Sequence, residues 1–227
     1  MINMVLVVFA SYVVGSIPTS IMLSKWRHGF DIRSKGSGNA GGTNVFRVLG
    51  WKSGVFVIVM DALKGVLATT VVARFFWDPA LPFYNHTPFD DFTIIQMICG
   101  GAAIFGHVWT IFAGFKGGKG IATGAGMLIG IAPTEFAVSI VVFLIFLFAF
   151  RYVSLGSIMA AVAFPLSLII RYNILSDEIH SYKTLVFFSI GIALFLIYSH
   201  RTNVKRLMEG TERKITSFGT KTEPVKS

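Results

Sequence analysis

Six long apolar runs occupy most of this chain: Ile2 to Leu23, Ser53 to Phe76, Phe92 to Phe112, Ile121 to Phe150, Tyr152 to Ile170 and Leu185 to Tyr198. A helix of about 20 apolar residues spans a bilayer core, where each backbone polar group must find its partner within the segment. None of the runs alternates as a strand would, so the sequence predicts helices throughout. Composition agrees: 54% of the 227 residues are apolar, only 14% are charged, and the mean hydropathy is +0.70. The 22 phenylalanines would be hard to hide in one soluble core. A disordered chain, a coiled coil and a disulfide scaffold are excluded, since the lone Cys99 allows neither an internal disulfide nor a thiolate metal cluster. The first run lacks a basic leader and a small-residue cleavage site, so it reads as a retained helix rather than a signal peptide. The fold class expected is an all-α integral membrane protein, one polytopic domain over residues 1–227 with a basic tail from about 201 to 227. No internal repeat is visible.

The run Ile121 to Phe150, 30 residues long, is too long for one span and short for two. Charge settles the parity. The segment Lys25 to Lys52 holds six Lys or Arg and one acidic residue, and the segment Arg201 to Ser227 holds seven and three. The loop Trp77 to Asp91 holds three aspartates and no Lys or Arg. Cytoplasmic loops carry the basic excess, so both basic segments belong on the cytoplasmic side. That requires a turn at Pro133, Thr134 and Glu135, giving about seven helices, two of them short, with the N-terminus outside and the C-terminus in the cytoplasm. The formal net charge of +9 then suits an anionic membrane surface, and nucleic acid is not expected as a partner.

Three segments on that cytoplasmic side carry groups suited to phosphate. The first runs Gly36, Ser37, Gly38, Asn39, Ala40, Gly41, Gly42, Thr43, Asn44 and then Arg47. Its glycines let backbone N–H groups approach a ligand, its short polar side chains add further bonds, and Arg47 supplies a planar fork. A flexible linker would need no such dense interleaving of Asn and Thr with glycine. The second segment has Gly106 and His107, then Lys116, Gly117, Gly118, Lys119 and Gly120 entering an apolar helix, which combines free N–H groups, a helix N-terminus and an ammonium. It is not a Walker A loop, which requires Ser or Thr after Gly-Lys. The third runs from His200 through Asn203 to Gly210, with His200 and Asn203 on one helical face. Each segment alone has a plainer reading: the first as a flexible linker, the second as a basic turn against lipid headgroups, and the third, more readily than as a site, as an ordinary basic tail. Their common side of the membrane argues for one site. His86 to Asp91 fits a His-x4-Asp pattern, but it falls in the acidic outer loop and carries little weight. No Gly-x-Ser-x-Gly elbow and no metal-ligand cluster is present.

With these motifs in this order the chain resembles the bacterial membrane acyltransferases of the PlsY type, which use acyl phosphate to acylate glycerol-3-phosphate. Gly15-Ser16-Ile17-Pro18 in the first helix and Asp61 with Lys64-Gly65 in the second also look like that family, so the resemblance covers nearly the whole chain. Two positions depart from its pattern: Thr110 stands where proline is common, and Gly42 where alanine is usual.

The resemblance implies a seven-helix fold and transfer of an acyl group to the 1-hydroxyl of glycerol-3-phosphate, giving lysophosphatidic acid and phosphate in phospholipid biosynthesis. It implies that Ser37, Arg47, Lys119, His200 and Asn203 form the catalytic set around glycerol-3-phosphate. The acyl-phosphate headgroup and phosphate loops would then be Gly38, Asn39, Gly41, Thr43, Asn44, His107, Gly117, Gly118 and Gly120. No cofactor and no metal is implied. Expected partners are glycerol-3-phosphate, acyl phosphate, membrane lipid and the enzyme that makes acyl phosphate. The expected location is the bacterial cytoplasmic (inner) membrane, multi-pass, with the site facing the cytoplasm. Two rival readings stay open from sequence: an acyltransferase with a thioester donor, and a small secondary transporter for an organic phosphate, although transporters usually place charge near the midplane.

Overall fold

The computed structural model describes residues 2–75, 77, 87–212 and 214, and among these every regular element is helical. His86 and the tail lysines Lys221 and Lys226 lie outside the described residues. The chain divides into two compact units, Met1–Pro133 and Thr134–Ser227.

In the first unit, α1 (Ile2–Ser16) and α2 (Thr19–His28) share one apolar run. Sequence alone suggested a single helix, but Pro18 has no N–H to continue the ladder and the helix breaks at Ile17–Pro18. Gly29 ends α2 in the left-handed conformation (φ 71°), its N–H bonded to the Lys25 carbonyl at 3.1 Å. The short α3 (Gly42–Leu49) leads into α4 (Trp51–Leu67), which passes through a π-helical stretch, Ala68–Val72, into the last turn α5 (Ala73–Phe75). Asp90 caps α6 (Asp91–Val108) by accepting from the Thr93 N–H at 2.8 Å. A 3₁₀ turn, Ile111–Ala113, and the glycine loop then lead to α7 (Ile121–Ile131).

The run Ile121 to Phe150 is broken, as the proline suggested, but the break is tighter than a three-residue turn. Ala132 alone leaves the helix (φ −144°), and Pro133 is the first residue of α8 (Pro133–Phe150), a position that tolerates a missing N–H. At 11 residues α7 is only about 16 Å long, well short of a bilayer core. Among the described residues six stretches are long and apolar enough to cross: Met4–His28, Trp51–Phe75, Asp91–Ala113, Pro133–Phe150, Val153–Asn173 and Tyr182–Ser199. The chain is a multi-pass membrane protein.

Lipid offers little hydrophobic drive between helices, so close backbone approach through small residues has to hold them. The first unit does this twice. On α1 and α6, a Cβ at Gly15 would lie 2.0 Å from the Ala103 carbonyl oxygen, and one at Gly106 2.1 Å from that of Tyr12. On α4 and α7, a Cβ at Gly65 would meet the Thr123 oxygen at 2.1 Å, and one at Gly126 the Ala62 oxygen at 1.8 Å. The departure at Gly42 has a local cause, since a Cβ there would press on Ile58 Cγ1 at 2.4 Å.

The second unit comprises most of α8, with α9 (Val153–Asn173), α10 (Tyr182–Ser199) and α11 (Arg201–Met208). Tyr172 and Tyr182 stack with centroids 3.8 Å apart where α9 turns into α10. The Arg171 guanidinium joins the buried Glu135 of α8 to Asp177, reaching the latter through Nε at 2.8 Å.

Candidate active site

The first glycine loop is built around Asn44. Its side chain is 2% exposed; Nδ2 donates to the carbonyls of Ile32, Lys35 and Asn39 at 3.0–3.2 Å, and Oδ1 accepts from the Ser37 N–H at 2.8 Å. Gly36 has φ 59°, and a Cβ there would fall 2.3 Å from Asn44 Oδ1. Asn44 was expected to contact substrate; its bonding capacity instead goes into folding the loop. Ser20 adds a strut from α2, its hydroxyl donating to the Ala40 carbonyl at 2.8 Å.

The second glycine loop folds back on the end of α6. The Gly117 N–H donates to the Val108 carbonyl at 2.9 Å and the Gly118 N–H to that of His107 at 3.1 Å. No side chain fits at either position: a Cβ at Gly117 would lie 1.9 Å from the His107 oxygen, and one at Gly118 2.2 Å from His107 Nε2 and 3.0 Å from the Ala40 oxygen. That last contact brings the two loops together. Gly118 therefore lies beside the residue preceding Gly41, the N-cap of α3, and just before Gly120, the N-cap of α7 (φ 76°). Thr110, the other departure from the family pattern, is buried and uses its hydroxyl to bond the Ser16 carbonyl.

Two helix N-termini thus sit side by side. Neither has a side-chain cap, and among the described residues the N–H groups of Asn39 to Thr43 and of Lys119 to Thr123 have no partner. Each terminus carries partial positive charge and open donors, the two requirements of an anion site. Thr43 and Arg47 share one exposed face of α3, four residues apart, and Lys119 is exposed at the mouth of α7. Among the described residues Ser37, Arg47 and Lys119 make no side-chain hydrogen bond or ion pair, so both cations are available to a ligand. Asn39 is half-buried and Gly38 exposed in the same loop, the latter with φ 73°.

Sequence reasoning missed the residue that couples the loops. Arg33 grips Asp31 with Nε at 3.0 Å and Nη2 at 2.8 Å, while Nη1 donates to the carbonyls of Ala113 at 2.8 Å and Lys116 at 3.0 Å. The Arg33 hydrogen bonds hold the Asp31 carboxyl well below the usual range, at about 2, against the opposing effect of burial.

His107 is buried beneath the second loop rather than open to a ligand, with Nδ1 3.8 Å from Asp61 Oδ1. Asp61 is itself paired with Lys64 at 2.5 Å. The same small pocket is lined by Ser16, Thr19, Thr110, Gly117 and Gly118, and the Thr19 hydroxyl points into protein there without a partner. Among the described residues no cluster of three or more His, Cys, Asp or Glu side chains is placed to hold a metal ion.

In the second unit His200 ends α10, its Nδ1 2.9 Å from the Leu196 carbonyl. Asn203 follows on α11 and donates to Glu212 Oε1 at 2.9 Å. Glu212 is a hub the sequence did not reveal: it also accepts from the Ser154 hydroxyl at 2.8 Å and from Arg206 Nε at 2.7 Å. The hydrogen bonds from Arg206, Asn203 and Ser154 pull its carboxyl down to about 2.

Comparison with known proteins agrees with this picture. Residues 5–210 match the family model described as glycerol-3-phosphate acyltransferase. Curated glycerol-3-phosphate acyltransferases from Chlorobium limicola and Chlorobaculum tepidum are 43% and 45% identical, over 96% and 97% of this chain and 99% and 100% of theirs. The crystal structure of PlsY (YgiH), an integral membrane glycerol 3-phosphate acyltransferase, superposes in its glycerol 3-phosphate form with a TM-score of 0.63 at 33% identity, covering 93% of this chain and 95% of that one. Its lysophosphatidic acid form matches with the same TM-score at 31% identity. From its glycine-built helix crossings to its paired anion-ready loops, the chain belongs to the glycerol-3-phosphate acyltransferase family.

Proposed function

We propose that this acyltransferase moves an acyl group from acyl phosphate to the 1-hydroxyl of glycerol-3-phosphate, releasing lysophosphatidic acid and inorganic phosphate for phospholipid synthesis. The observation that carries the reading is the pair of uncapped helix N-termini held against each other, each beside an unpaired cation. Both reactants carry phosphate, and two adjacent anion sites would position them and shield their repulsion. Arg47 and Lys119 suit the phosphate of glycerol-3-phosphate; Asn39, Thr43 and the neighbouring glycine N–H groups suit that of acyl phosphate. The family resemblance adds a part in binding glycerol-3-phosphate for Ser37, His200 and Asn203, and a part in the first loop for Gly38. In this reading Asn44 and His107 shape the loops rather than touch substrate.

The acyl carbon of acyl phosphate is already activated, because phosphate is a good leaving group. The acceptor hydroxyl can attack it directly, a substrate phosphate oxygen taking the proton, with no covalent enzyme intermediate. An apolar groove of about 480 Å³ between α1 and α6, lined by Met4, Val8, Phe9, Tyr12 and Phe105 among others, suits the acyl tail. Tyr12 marks its end nearest the loops, the hydroxyl donating to the Trp109 carbonyl at 2.7 Å. Each buried CH₂ contributes about 0.8 kcal/mol.

The deciding experiment supplies purified protein with radiolabelled glycerol-3-phosphate and, in parallel, acyl phosphate, acyl-CoA or acyl-carrier protein. Turnover is expected with acyl phosphate alone; equal or faster turnover with a thioester overturns the donor assignment. The basic loops set the orientation in a bacterial inner membrane, N-terminus outside and site toward the cytoplasm. Single cysteines at Ser37 and Lys116, in a Cys99→Ala background, should resist an impermeant thiol reagent added to intact cells.

A further inference from the structure

One group of titratable side chains lies beneath the loops and takes no part in the chemistry just described. Asp61 and Lys64 are 2% and 4% exposed on α4, and His107 is 8% exposed at the end of α6. Burying charge at this depth is costly, and apolar residues of similar size hold helices together as well or better. Helix cohesion does not require the group either, because α1 meets α6 and α4 meets α7 through glycine. What distinguishes it is where its outer edges touch. Lys64 Nζ donates to the Ile17 carbonyl, at the break where α1 gives way to α2. The imidazole faces Asp61 with Nδ1 and Gly118 with Nε2, so Gly118 rests on the ring.

We propose that Asp61, Lys64 and His107 are positioning residues that set the height of the Gly117–Gly118 rung and hence where Lys119 presents its ammonium to the phosphate of glycerol-3-phosphate. Lys64 fixes the Asp61 carboxylate, the carboxylate fixes the plane of the imidazole, and the ring carries the loop. The same lysine holds the Ile17 carbonyl, so the base of α2, whose Ser20 supports Ala40 of the first loop, is registered to the same point. The inference rests on the reading of Lys119 as a phosphate ligand.

The test measures KM for glycerol-3-phosphate, KM for palmitoyl phosphate, kcat and melting temperature on full-length protein in one detergent–lipid mixture. A single substitution at Asp61 or Lys64 strands a buried charge, so the pair is changed together, Asp61→Asn with Lys64→Met. That variant and His107→Ala should raise the glycerol-3-phosphate KM at least tenfold, with the palmitoyl phosphate KM and kcat within threefold. His107→Gln, which can still turn a polar atom toward Asp61, should restore KM to within threefold of the parent. A purely structural role would lower melting temperature and active fraction without separating the two KM values. An unchanged glycerol-3-phosphate KM, a parallel rise in both KM values, or failure of His107→Gln to rescue overturns the proposal. Lys119→Ala is measured beside them. If it raises the glycerol-3-phosphate KM while His107→Ala does not, positioning alone is overturned; if it leaves that KM unchanged, the phosphate-site reading falls and this inference with it.

Discussion

Arg33 donates to the carbonyl of Lys116 at 3.0 Å and so joins two loops 83 residues apart in the sequence. Its other bonds go to the Ala113 carbonyl and to Asp31, which leaves Arg33 a fastener rather than a phosphate ligand. Arg33→Ala should therefore lower activity about ten- to a hundredfold, or about 1.4–2.8 kcal/mol, through misplacement of the loops. Arg33→Lys should rescue little, because an ammonium cannot reach a carboxylate and two carbonyls in one plane. The pH dependence follows from Asp31. Its carboxyl is lowered from 3.8 to about 2, so the fastener is complete above the ordinary carboxylate range and is lost as pH falls through about 2. Asp31→Asn should remove that acid-sensitive component, which a melting-temperature series from pH 6 to pH 2 would show.

Gly114 and Gly118 separate conformational from steric demands on glycine. Gly114 has φ 66° with nothing within 4 Å of a Cβ, so Gly114→Ala should cost about 1 kcal/mol and leave activity nearly intact. Gly118 has an ordinary φ but no room, and Gly118→Ala must displace either the His107 ring or the Ala40 carbonyl. Activity should fall at least a hundredfold, read as initial rate at saturating donor.

Arg47 and Lys119 are exposed and unpaired, so changing them should not disturb the fold. Arg47→Lys keeps the charge but loses the two parallel donors a phosphate accepts, and should lose most activity. Lys119→Ala should lose activity from tens-fold to thousands-fold, the range of about 2–5 kcal/mol for removing a charged hydrogen-bonded partner. Melting temperatures within 2–3 °C of the parent, about the shift from a change of 1 kcal/mol or less, would establish that the fold is intact. A large drop would reassign these residues to structure.

Glu212 gathers Asn203, Arg206 and Ser154 onto one carboxylate. Glu212→Gln should lower melting temperature and activity together, because the helix carrying Asn203 loses its anchor. The carboxyl is pulled from 4.5 to about 2 chiefly by the Arg206 hydrogen bond, so this anchor holds above about pH 4.5 and fails as pH falls toward 2. Arg206→Gln should move the onset of that loss to higher pH, measurable by hydrogen exchange in α11.

The membrane class and the break near Pro133 were legible because run length and charge asymmetry are one-dimensional signals. The start of α7 was legible too, since Gly-Gly-Lys-Gly running into an apolar stretch reads directly from the chain; the start of α3 at Gly42 was not. Arg33 was not, because in sequence it looks like any basic residue of a cytoplasmic loop; only the fold aims its donors at Ala113 and Lys116. Asn44 misled for the opposite reason. Its amide suits a ligand, but four backbone groups of its own loop reach it first. Asp61 and Lys64 interrupt an apolar run and so stand out in the sequence, whereas their neighbour His107 lies on another helix and no spacing rule connects them.

The π-helical stretch Ala68–Val72 has a geometric consequence. Its Ala73 N–H reaches back five residues to the Ala68 carbonyl, and the Thr69 carbonyl turns outward to accept from Gln96 Nε2 at 2.9 Å. An added residue in a helix advances everything beyond it by about 100° around the axis. The helix that lays Gly65 on α7 therefore shows α6 a differently phased face a turn later. Deleting one residue between Ala68 and Val72 would act as a twist more than a shortening: a regular α-helix would form, and Phe75 would swing away from its present azimuth.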